Sequence, residues 1–78
     1  NSNYIILQNF DNHTISINTT DETIKELSIY SIDGKLECNK SFNESKAEIN
    51  ISHLSKGLLL LKIENTKGNY YTYKLFNP

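Results

Sequence analysis

INISHLSKGLLLLKI, residues 49–63, is the stretch whose reading decides the fold. Alternation with period two puts Ile49 and Ile51 on one face of a strand, and Ala47 extends that face upstream. SHLSKG is too short for a strand and too polar for a core helix. It suits a single helical turn or a loop crossing from one sheet to another. Leu54 is its one large apolar residue and is expected to plug the end of a core. Gly57 gives the backbone freedom to turn before the next strand. In the leucine run, Leu59, Leu61 and Ile63 share one face, while Leu58 and Leu60 share the other with Lys62. A strand apolar on both faces is expected in the middle of a sheet, covered on two sides.

Working outward, the same period recurs along the chain. Residues 4–7 read as a first short strand, broken by the turn-forming QNFDN. HTISIN alternates, with Ile15 and Ile17 together, and residues 18–23 form a polar loop. Residues 24–32 make the first long strand. There Leu27 and Ile29 share a face with Lys25 and Ser31, and Tyr30 and Ile32 point the other way. The β-branched content argues against a helix. Asp33-Gly34 follows at once, a hairpin signal in which both central residues can take positive φ. The return strand places Leu36 and Cys38 on one face, and residues 43–45 turn again. NTKGN, with Gly68, is a hairpin loop. YYTYKLF sets Tyr71, Tyr73 and Leu75 opposite Tyr70, Thr72, Lys74 and Phe76. Seven short strands with turn signals between them predict an all-β fold, a small antiparallel β-sandwich, in a single domain over residues 1–78.

Composition narrows the function. A hydrophobic share of 37% supports a packed core rather than a disordered chain. Seventy-eight residues allow one small core and little room for a deep catalytic cleft. The net charge of -1 is not the basic footprint of a nucleic-acid binder, and every cation is a lysine, without the planar fork of arginine. No apolar run reaches the ~20 residues that span a bilayer, and there is no N-terminal stretch of signal-peptide type. If exported, the chain is expected to be a piece of a longer precursor or to carry its address elsewhere.

The second half carries a resemblance. Ile29, Tyr30, Asp33, Gly34 and Lys35, then Ile49, Ile51, Ser52, Leu54, Gly57 and Ile63, then Gly68 and Lys74, follow in the order and spacing of a known pattern. The chain resembles the C-terminal sorting domain (type A) of type IX secretion cargo in Bacteroidetes, over residues 14–76. It departs at Asn50, where that family has an acid, and at Leu59, where it has an aromatic residue. Only Asn9 corresponds to the family's Pro-Asn-Pro opening. The resemblance implies an immunoglobulin-like β-sandwich at the C-terminus of a larger secreted precursor, handled by an outer-membrane shuttle and a sortase-like peptidase. It implies no enzymatic activity and no cofactor, and a destination at the cell surface or in the medium, reached through the periplasm and outer membrane. Asp33, Gly34, Lys35, Leu54, Gly57 and Gly68 would then hold the shape. An edge strand can act as an address because a receptor completes its unpaired backbone groups by strand addition. The final strand, with Tyr70, Lys74 and Phe76 outward, is expected to supply part of that surface.

Other chemistry finds little support. His13 and His53 are far apart with Cys38 between them, in no metal-ligand spacing. Cys38 cannot form an internal disulfide and reads as a small filler beside a strand. No serine sits in a GxSxG elbow, and Asp21-Glu22 reads as a solvated loop. Sequons at Asn12, Asn18, Asn43 and Asn50 are expected by chance in a chain this rich in asparagine, serine and threonine. Two further readings are a carbohydrate-binding or adhesive module, suggested by Tyr70, Tyr71 and Tyr73, and an inert fibronectin-like spacer.

Overall fold

The computed structural model describes residues 4–78; residues 1–3 of the expected domain lie outside the described residues. Seven strands follow in order: β1 (Tyr4–Asn9), β2 (Thr14–Thr19), β3 (Ile24–Ser31), β4 (Leu36–Glu44), β5 (Lys46–Asn50), β6 (Gly57–Asn65) and β7 (Tyr70–Asn77). They form a three-stranded sheet, β1-β2-β5, and a four-stranded sheet, β4-β3-β6-β7, with every pairing antiparallel. This is the all-β sandwich expected from the strand pattern, immunoglobulin-like with its fourth strand moved beside the third.

Alternation explains the core. Ile15 and Ile17 from β2 and Ala47, Ile49 and Ile51 from in and beyond β5 meet Leu27, Ile29, Leu59, Leu61, Ile63 and Leu75 of the facing sheet. Leu54 closes one end of that core and is buried, in the crossing loop between β5 and β6. That loop takes the crossing form of the two expected.

Both hairpins of the four-stranded sheet use one turn design. Ser31 N–H donates to Lys35 C=O (2.8 Å) and Gly34 N–H to Ser31 C=O (2.9 Å). Asn65 N–H likewise donates to Asn69 C=O (3.1 Å) and Gly68 N–H to Asn65 C=O (3.0 Å). Each is a three-residue loop whose last residue is a glycine at positive φ, 92° for Gly34 and 85° for Gly68. The expectation of positive φ at both Asp33 and Gly34 is corrected: Gly34 alone takes it, because Ile32 opens the loop and Asp33 is its middle residue.

Four further differences have local causes. Lys25 is an extra residue in β3, for Ile24 pairs with Asn65 and Glu26 with Glu64. This bulge turns Lys25 outward while Ile24, Leu27 and Ile29 all stay in the core. Glu37 is a second bulge, since Tyr30 pairs with Leu36 and Ile29 with Cys38. Leu36 therefore lies on the exposed outer face and Cys38 packs against the core, on opposite faces rather than one. Residues 43–45 do not make a hairpin: β4 runs to Glu44, and Ser45 is where the chain changes sheets. Finally, β6 does lie between β3 and β7, but its second face is not covered. Leu58 is 47% exposed and Leu60 37%.

Candidate recognition edge

β7 is an edge of the four-stranded sheet. Its side chains alternate: Tyr70, Thr72, Lys74 and Phe76 are exposed, while Tyr71 and Tyr73 are half-buried and Leu75 is buried. Backbone direction alternates as well. Asn65 and Asn69 form a hydrogen-bonded pair at the hairpin, so odd-numbered residues of β7 bond to β6. The N–H and C=O of Tyr70, Thr72, Lys74 and Phe76 point away from β6.

Phe76 already has a partner there. The Gln8 amide of β1 donates to Phe76 C=O (2.8 Å) and accepts from Phe76 N–H (3.2 Å). One side chain thus mimics the next strand at this position. At the other end of β7, Tyr4 of β1 packs its ring 5.2 Å from that of Tyr71. The Tyr4 phenol is pushed well above its ordinary pKa, first by burial and then by the Glu22 carboxylate. Glu22 is in turn held below the usual range by the hydrogen bond from Asn65 Nδ2 (2.9 Å) and by Tyr4.

Two lysines border the strand on its outer side. Lys74 is exposed and lies opposite Leu60, and Lys62 lies opposite Thr72. The Lys62 ammonium sits 4.2 Å from the centre of the Tyr70 ring, a cation–π contact. Glu64, on the same face, is engaged by Lys25 at 3.8 Å.

The residues expected to hold the shape are distributed through the turns. Gly34 and Gly68 end the two loops, and Gly57 opens β6 at φ 95°. The Ser31 hydroxyl donates to Asp33, whose carboxyl is thereby held low, and Lys35 N–H donates to Ser31 Oγ at 3.2 Å. Two anchors of the crossing loop escaped the strand pattern. Glu37 accepts from Ser55 N–H (2.7 Å) and from the Ser55 hydroxyl, which holds its carboxyl low. Asn77, fully buried, donates through Nδ2 to the carbonyls of Ile51 (3.0 Å), Leu54 (3.1 Å) and Ser55 (3.0 Å). A polar residue on the inward face of the last strand was the available signal for it.

The remaining candidates lie elsewhere. His13 is in the β1–β2 turn at φ 58°, His53 is exposed in the crossing loop, and Cys38 is half-buried on β4. Among the described residues no three His, Cys, Asp or Glu side chains stand together as metal ligands. Two shallow hollows, one along Ser16, Phe42 and Glu48 and one along Leu7 and Phe10, contain neither histidine nor Cys38. Tyr70 faces away from Tyr71 and Tyr73, so the three do not make one platform for a sugar ring. No helix among the described residues is long and apolar enough to cross a membrane.

A family model described as a secretion system C-terminal sorting domain matches residues 9–76. No curated protein matches the chain.

Proposed function

The chain belongs to the secretion system C-terminal sorting domain family, and from that premise we propose that it works by docking its β7 edge onto the export machinery. The family ties it to type IX secretion of a cargo protein, with export to the cell surface or the medium. In our reading it is one domain at the C-terminus of a larger precursor, preceded by the cargo. The components that handle it are an outer-membrane shuttle and a sortase-like peptidase, along a route through periplasm and outer membrane. The domain contributes binding and no catalysis.

The observation that carries this reading is the outward-pointing backbone of Tyr70, Thr72 and Lys74 on the β7 edge, with Tyr70 and Lys74 exposed. Such an edge gives affinity through main-chain hydrogen bonds and specificity through alternate side chains. The test is a reporter fused to residues 1–78 in a type IX-competent strain. The full chain should carry the reporter out of the cell. The same fusion lacking residues 70–78 should stay inside, and its export at the parental rate would end the proposal.

A further inference from the structure

Resting on that reading, we propose that the β7 edge takes up an extended, acidic segment of the export machinery, paired along residues 70–74 and stopped at Phe76 by Gln8. Three observations define this segment. The first is regularity. β7 pairs with β6 over eight consecutive positions without a shift, whereas β4, the opposite edge of the sheet, is interrupted at Glu37 and again near Phe42. Bulges end strand pairing, so β7 is the better template of the two.

The second is length. The backbone groups of Thr72 and Lys74 point outward, and those of Phe76 are occupied by the Gln8 amide. An added strand can pair alongside Tyr70, Thr72 and Lys74, and it meets the Gln8 amide in place of a further register position.

The third is charge. A side chain standing beside Lys74 on the outer face meets the Lys74 ammonium, with Lys62 one strand further in and held over the Tyr70 ring, while Glu64 is paired with Lys25. Opposite charges on neighbouring strands attract and like charges repel. An acidic residue in the incoming segment satisfies this face. A second copy of the chain brings the same lysines, so charge does not select it.

The test uses the reporter-fused chain in type IX-competent cells, with melting curves of each variant. Thr72→Pro removes an outward N–H and leaves the β6 ladder intact, as proline is tolerated on edges. Lys74→Glu reverses the charge, and Lys74→Arg keeps it. Export of the folded Thr72→Pro and Lys74→Glu chains should fall at least about tenfold, with melting within about 5 °C of the parent. Lys74→Arg should retain at least about half the parental export. If the parent is exported and folded Lys74→Glu keeps pace with it, the acidic segment is ruled out while the docking reading stands; if folded Thr72→Pro keeps pace, strand addition at this edge fails and the docking reading fails with it. If the parent is not exported, the docking reading itself fails. Should Thr72→Pro not fold, Lys74→Glu against Lys74→Arg decides. A concentration-dependent dimer lost in Thr72→Pro would give the edge to a second copy and overturn the inference.

Discussion

Gly57 separates two reasons for a glycine. A Cβ built there would meet nothing within 4 Å, so crowding does not require it. The backbone does, because φ is 95°. Gly57→Ala should therefore cost about 1–2 kcal/mol, and Gly57→Asn less, since asparagine tolerates positive φ better. Urea denaturation of the two variants checks this; equal losses would mean that side-chain contact, not backbone angle, sets the cost. Asn77 is a different case, where chemistry rather than shape is needed. Its amide supplies the donor for three carbonyls of the crossing loop. Asn77→Ala takes this donor from the Leu54 and Ser55 carbonyls, while Ile51 C=O keeps the Leu54 N–H, and should cost about 2 kcal/mol. Asn77→Asp replaces the donor with an oxygen facing three oxygens and should cost more at neutral pH. A loss smaller than that of Asn77→Ala would refute this account of the anchor.

At the scale of one element, β6 contrasts adjacent leucines. Leu61 is fully buried, between Ile29 on β3 and Tyr73 on β7 in register. Leu60, the preceding residue, lies on the outer face between Tyr30 and Lys74. Leu61→Ala should lose about 2–5 kcal/mol through transfer and cavity terms. Leu60→Thr, on an exposed strand position that suits a β-branched residue, should stay within about 0.5–1 kcal/mol. Denaturation midpoints of the two variants decide it, and comparable losses would mean that the outer face is covered. The exposed leucines also explain why residue types alone overstated the burial of β6. Four consecutive leucines suit a strand covered on both faces, yet only one sheet packs against this one. The outer side is left with Leu58, Leu60, Leu36 and Phe76 at the surface.

For the whole molecule, the layers were legible in the alternation of isoleucine and leucine, because a one-residue slip would turn every core residue outward. What alternation hides is an inserted residue. Lys25 and Glu37 each shift the parity of their strand without changing its composition, and so Leu36 and Cys38 stand on opposite faces rather than sharing one. Contacts between distant positions were equally silent: nothing near Gln8 announces Phe76, 68 residues away. Carboxylate hydrogen bonds, two of them between distant positions and one within a turn, give the molecule its acid response. Glu22 joins the β2–β3 loop to Asn65, Asp33 braces the β3–β4 turn, and Glu37 holds the crossing loop at Ser55. All three carboxyls are held below their ordinary values by hydrogen bonds. Each is therefore easier to ionise folded than unfolded. Its contribution is fully present above the unfolded values, 4.5 for the glutamates and 3.8 for Asp33, and is lost as pH falls through the lower folded values. Urea midpoints should accordingly be level between pH 7 and about 5 and decline below that. The triple variant Glu22→Gln, Asp33→Asn, Glu37→Gln should start lower at pH 7 and decline less in acid. A triple variant that follows the parental curve throughout would show that these three carboxylates do not set the acid limit of the fold.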